Sequence, residues 1–202
     1  MAIAKRKQKF FDVEIPLISK TTQARAFEVS NLNNKFMKYD LTRMLRGKSM
    51  ILQSQIKVEK DQATSIPKKI SLMPYYLKRM VRKGTNYVED SFVAECKDAK
   101  IKIKPFLVTR RKVSRAVRKA LRNKAREELI AELKTKTSET IFRDLLRNDI
   151  QKPLSLKLKK IYPLSLCEIK EFKVINEIES KKSEKKETPK EKPEEESEGK
   201  KE

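Results

Sequence analysis

Between Ala99 and Arg126 the apolar residues change their period from two to about 3.6, and those 28 residues contain 12 Lys or Arg and no Asp or Glu. The first part alternates: Ile101 and Ile103, then Phe106 and Val108, with Lys100, Lys102 and Lys104 between them. That is a strand with one apolar and one charged face. Pro105 has no N–H for a ladder, so it argues for an edge position or a bulge. From Thr109 onward, Val113, Ala116, Val117, Ala120 and Leu121 recur at three and four. This is a helical stripe, with Thr109 as a candidate N-cap.

At about 100° per residue, Arg111, Arg115, Arg118, Arg122 and Arg126 fall opposite Val113 and Val117. Like charges at helical spacing repel, and a solvated helix normally mixes signs. Five arginines on one face without an acid therefore call for an anion laid across them, and a polyphosphate fits that need. The candidate RNA-binding set is Arg110, Arg111, Lys112, Arg115, Arg118, Lys119, Arg122 and Arg126, with Lys5, Arg6, Lys7, Lys9, Arg46 and Lys48 as further contacts.

Composition narrows the chemistry. The chain has 202 residues and a formal charge of +22, from 50 Lys or Arg against 28 Asp or Glu. There is no histidine, so Ser-His or Cys-His activation is excluded. With two separated cysteines and no CxxC, no metal site is expected, and three glycines are too few for a Gly-rich phosphate loop. The carboxylates are dispersed through basic segments. No cofactor and no enzymatic activity are expected. No run reaches the roughly 20 apolar residues that span a bilayer, and the basic N-terminus lacks the apolar stretch of a secretory signal. Cys96 and Cys167 sit in apolar settings and read as buried fillers in a reducing compartment.

Residues 1–9 form a basic arm. A single domain is expected over 10–175, with strands at Phe10–Ile18 and Ala24–Ser30, the second placing Phe27 and Val29 on one face. Asn31–Asn34 has turn chemistry. Met37–Leu45 reads as a strand running into a loop at Arg46-Gly47-Lys48. Ser49–Glu59 alternates as a strand, with a loop over Asp61–Ser65. Pro67–Lys83 reads as a helix through Ile70, Met73, Leu77, Met80 and Val81, with Gly84 as its C-cap. Tyr87–Cys96 is a strand turned back at Lys97-Asp98-Ala99 as a hairpin.

After Arg126, Leu129, Ile130 and Leu133 fall near the sector that the arginines held, so the second half of the helix buries, or offers to a partner, what the first half exposes. Short helices follow at Ser138–Leu146, capped by Ser138, and at Leu154–Ile161. A last strand is expected over Leu166–Ile175. Residues 176–202 hold 8 Lys and 10 Glu with little to bury, so the other 175 residues carry a net +24. Such a tail is expected to be disordered.

Several stretches together resemble a known family: Arg25-Ala26-Phe27-Glu28-Val29-Ser30, Lys35-Phe36-Met37-Lys38-Tyr39, Gly47-Lys48, Phe106-Leu107-Val108-Thr109-Arg110-Arg111 and Ile161-Tyr162-Pro163-Leu164. In order and spacing they resemble the small-subunit ribosomal protein family of archaea and eukaryotes known as S three A e, over about Phe11 to Val174. The resemblance implies an α+β fold, a curved, barrel-like mixed or antiparallel sheet with packed helices. It also implies a structural, cytoplasmic constituent of the small ribosomal subunit. The implied position is the platform, near the messenger exit and the 3′ end of the small-subunit ribosomal RNA. Implied partners are that RNA, neighbouring platform proteins and messenger RNA near the exit, with no membrane partner. The start of the chain close to the first strand looks archaeal. The alternative from the residues alone is a free-standing RNA-binding regulator or RNA chaperone.

Overall fold

Alternating apolar residues build one large sheet, and helices cover its core face. The computed structural model describes residues 7–60 and 62–177. The chain begins with β1 (Lys9–Ile15), β2 (Lys20–Ala26), β3 (Phe36–Asp40), β4 (Met50–Glu59) and β5 (Gln62–Leu72). It continues through α1 (Pro74–Met80), β6 (Tyr87–Glu89), β7 (Phe92–Glu95) and β8 (Ala99–Thr109). It ends with α2 (Arg115–Thr135), α3 (Ser138–Arg147), α4 (Gln151–Lys159) and β9 (Leu164–Glu177). Hydrogen-bonded neighbours run β2-β1-β5-β9-β8-β6, with β3 joined through β4 to β5, and β7 also on β8. Every pairing is antiparallel except β1 with β5. The architecture is the expected α+β, and among the described residues the ladder does not close into a barrel.

The spine is β8 against β9, from Ala99 opposite Glu177 to Thr109 opposite Leu164. Its register shifts between Lys104 and Pro105, so Pro105 sits at a bulge in an interior strand, one of its two expected settings. Beyond the bulge, residues 105–109 are buried on both faces. Arg110 therefore emerges only where the strand leaves the core.

Four expectations change. Residues 62–72 are strand, so neither the loop over Asp61–Ser65 nor a helix starting at Pro67 forms, and α1 is confined to Pro74–Met80. The reason is a bulge: Gln53 faces Lys69 and Ser54 faces Pro67, leaving Lys68 as the extra residue. Burial then moves from Ala63 and Ser65 to Ile70 and Leu72, and that change of parity hides the strand period. The C-cap of α1 is Val81. Gly84 instead sits with φ +83 in the following turn, where a left-handed backbone favours glycine. In the second strand the ladder ends at Ala26, leaving Phe27 exposed and Val29 in a 3-10 turn. The strand over Tyr87–Cys96 breaks at Asp90 and Ser91 into β6 and β7.

The long helix resolves the ambiguity of its two halves. Its buried row is Leu121, Ala125, Leu129 and Leu133. Each four-residue step advances about 40° around an α-helix, so the row winds into the sector that the arginines hold one turn earlier. Leu129 and Leu133 are fully buried in the chain's own core, with Leu154 and Leu158 of α4 in the same cluster. They offer no patch to a partner. Phe142 of α3 meets Phe172 of β9 edge to face at 4.8 Å between ring centroids, a favourable aromatic geometry. The helix caps lie one residue or more from the expected ones: α3 is capped by Thr137, and α2 by Ser114, whose hydroxyl accepts from the Val117 N–H at 3.4 Å.

Candidate nucleic-acid interface

Thr109 ends β8 and begins no helix. Its hydroxyl accepts from the Asn86 N–H at 3.1 Å and donates to the Arg111 carbonyl at 2.7 Å. Asn86 Oδ1 in turn accepts from the Val113 N–H at 2.9 Å. Arg110, Arg111 and Lys112 thus lie in a connector tied to the start of β6, and Arg111 is not on the helix face. All three are exposed.

From Ser114 onward the helix presents Arg115, Lys119 and Arg122 exposed and Arg118 half-buried. With Tyr87 and Val88 of β6, these four cations line a cleft of about 310 Å³. The first turn of α2 contains no acid, so the positive end of the helix dipole adds to the cationic side chains. Arg118 Nε is buried and, among the described residues, has no acceptor. A buried donor in that state costs free energy until an acceptor arrives.

Among the described residues, no carboxylate pairs with Arg110, Arg111, Lys112, Arg115, Arg118, Lys119 or Arg122. Two cations further along, one at the middle of α2 and one at its C-cap, differ. Lys124 lies 3.3 Å from Glu128, and Lys136 lies 2.9 Å from Glu132 and 2.6 Å from Asp144. Burial lowers the Lys136 pKa, but the hydrogen bonds it donates to Asp144 and Glu132 outweigh it and raise the value overall. Arg122 also borders a second hollow, of about 630 Å³, with Lys102, Lys104, Lys170, Glu89 and Asp90. Half of its charged residues are matched, Lys170 with Glu89 at 3.0 Å and Lys104 with Glu171.

The other candidates do not converge on the cleft. Arg126 is exposed and places its guanidinium 5.4 Å from the centre of the Phe92 ring, a cation–π contact with β7. Lys48 must be withdrawn: it is 9% exposed, its Nζ lies 2.6 Å from Glu168, and it donates to Asn148 Oδ1 at 2.7 Å. It joins the β3–β4 loop to β9 and to the end of α3, and cannot reach an outside phosphate. Arg46 is exposed with φ 52 in the turn before it. Lys9 opens β1, separated from β6 by β5, β9 and β8, and Lys7 precedes it. Lys5 and Arg6 lie outside the described residues, as does the tail beyond Glu177. Asn176 and Glu177 themselves extend β9.

Sequence reasoning missed Tyr87 in this cleft. The strand period showed its alternation, but not that β6 would be three residues long and lie under α2.

Residues 7–177 match the model of the ribosomal S3Ae family. A protein named small ribosomal subunit protein eS1 from Methanothermobacter thermautotrophicus is 31% identical over 103 residues, covering 50% of this chain and 53% of the relative. One of the same name from Nanoarchaeum equitans is 30% identical over 117 residues, covering 57% and 59%. A third, from Pyrobaculum arsenaticum, is 27% identical over 139 residues, covering 68% and 63%. The aligned part of the chain thus spans between about half and two thirds of these relatives.

Proposed function

The chain belongs to the ribosomal S3Ae family, and on that premise we propose that it is a structural constituent of the small ribosomal subunit, held there by ribosomal RNA across the N-terminal half of α2. The observation that carries this is the contrast within one helix. Lys124 at the middle of the helix and Lys136 at its C-cap pair with the chain's own acids, and the cations from Arg115 to Arg122 do not. A polyanion removes their mutual repulsion and supplies acceptors, including one for Arg118 Nε. Arginine suits the task because its planar fork engages two phosphate oxygens at once. Arg110, Arg111 and Lys112 continue the track from the connector, and Arg46, Lys7 and Lys9 are separate contacts.

Recognition is by charge and shape rather than base sequence, as folded RNA duplexes are mostly read. If about six to eight phosphates are engaged, affinity falls by roughly three decades or more between 50 and 200 mM salt. The relatives' names point to the small subunit. Position on the platform, near the messenger exit and the 3′ end of the small-subunit RNA, beside other platform proteins, is the finer form of the same proposal.

The test is ultraviolet crosslinking of purified small subunits from the source cell, after a sucrose gradient at moderate salt. The chain is expected to sediment with the subunit and to crosslink to its RNA through peptides covering residues 110–122. Recovery only at the top of the gradient overturns the proposal.

A further inference from the structure

Tyr87 lines two cavities of opposite character. One is the cationic cleft, with Arg115, Arg118, Lys119 and Arg122. The other is an apolar groove of about 530 Å³ between the sheet and α1, walled by Pro74, Leu77, Val81, Tyr87 and Phe106. The Tyr87 ring is stacked on Phe106, with centroids 5.9 Å apart and planes 25° apart, although the residue is 53% exposed. Its backbone starts at Asn86, which the Thr109 and Val113 contacts lock to the basic connector. An exposed aromatic, held in place, therefore separates a set of cations from a groove with aromatic and aliphatic walls. Charged groups stand at the groove's rim: Lys78, Glu89 and Lys170.

We propose that this pair of cavities takes one unpaired nucleotide of RNA, its phosphate in the cationic cleft and its base in the groove against Tyr87. This rests on the RNA-binding reading above and deepens it. The argument for a nucleotide, rather than any other apolar occupant, is charge complementarity: the groove shares a wall with four unpaired cations, and a nucleotide joins a planar apolar group to an anion. Base–aromatic stacking tolerates every base, so the site selects unpaired over paired residues and not one sequence over another.

The test uses the full chain and two RNA hairpins of equal length and charge. One carries a single bulged 2-aminopurine, and the other carries it paired in the stem. The native chain is expected to bind the bulged hairpin more tightly and to change its fluorescence as the base stacks. Tyr87→Leu, which keeps an apolar contact to Phe106, is expected to lose that preference by about 5- to 100-fold. Tyr87→Phe is expected to keep it. Arg115→Glu, Arg118→Glu and Arg122→Glu together weaken both hairpins alike. Equal binding of the two hairpins by the native chain, or an undiminished preference in Tyr87→Leu, overturns the nucleotide site and leaves the RNA-binding reading standing. Unchanged affinity of the triple variant for both hairpins overturns that reading as well.

Discussion

The ammonium group of Lys157, on α4, lies 2.5 Å from Oε2 of Glu128, on α2. Glu128 also faces Lys124 at 3.3 Å, and its carboxyl is held below the ordinary range, chiefly by the Lys157 hydrogen bond. These are solvent-exposed contacts of small energetic weight. What matters is where they stop. Glu127, Glu128 and Glu132 all fall C-terminal to Arg126, so the chain has acids on this helix and places none of them among the cations from Arg115 to Arg122. Stability of the helix alone gives no reason for that distribution, since acids near an N-terminus would favour it.

Reversing charge at Arg115, Arg118 and Arg122 together is expected to leave the circular dichroism spectrum and cooperative unfolding of the isolated protein unchanged, because no described partner is lost. The same variant should fail to enter the small subunit, and its log–log salt dependence of RNA binding should flatten by about two to three units. Lys124→Ala with Lys157→Ala removes two cations that Glu128 already neutralises and should leave that slope where it is. If both variants flatten it equally, the binding surface extends over the whole helix.

How far the sequence spoke depended on whether a signal was local. The Arg row from Arg115 onward was legible because it repeats at one period along one element, and Ile101 and Ile103 marked β8 for the same reason; Arg111, before the Ser114 cap, fell outside it. The β5 strand was not, because the extra residue Lys68 shifts the buried set from Ala63 and Ser65 to Ile70 and Leu72. Ile70, Met73, Leu77 and Met80 then satisfy a helical spacing as well as a broken strand. Lys48 was misassigned for a different reason. Its partner Glu168 is on the last strand, and nothing near either residue announces the pair. Tyr87 owes its place to α1 and α2 converging on β6, which no local pattern encodes.

Lys48 supplies a prediction that separates structure from binding. With side-chain exposures of 10% and 12%, Lys48 and Glu168 are nearly out of water. Removing one partner leaves a buried charge alone, at a typical cost of about 3 kcal/mol or more. Lys48→Ala should lower the urea midpoint accordingly while leaving the salt slope for RNA unchanged. Lys48→Met with Glu168→Leu should recover much of the loss, because no orphaned charge remains. A Lys48→Ala protein of native stability and weakened RNA affinity would return this residue to the interface.

Glu171 ties part of the sheet's stability to pH. Burial pushes this carboxyl up, but hydrogen bonds and charges from Lys104 and Lys69 overcome it and hold the pKa at about 2, against 4.5 for the free side chain. Lys69 lies 2.6 Å away. Because the folded value is the lower one, the contribution is complete above about pH 4.5 and fades as pH falls towards 2. After allowance for solvent screening it amounts to about 2 kcal/mol. Urea unfolding at stepped pH should show Glu171→Gln less stable than the native chain near neutrality, with the gap closing in that window. A gap that stays constant down to about pH 2.5 contradicts the assignment.

Cys167 should be chemically silent in the folded chain. Burial pushes its thiol up to about 12, with the charge of Glu168 adding to the effect and Lys48 opposing it. At about pH 8, a thiol with that value is ionised about one part in ten thousand, against about one in ten for the ordinary 9.0. Only the thiolate attacks an alkylating reagent, so native Cys167 should react about a thousandfold more slowly than in urea. Cys96 should also label slowly in the folded chain because the reagent cannot reach it: it is buried, and its thiol donates to the Ala99 carbonyl at 2.9 Å. Iodoacetamide labelling followed by peptide mass spectrometry reads the two sites separately. Cys167 is half-buried where Cys96 is buried, so fast native labelling at Cys167 alone would contradict the raised value of its thiol.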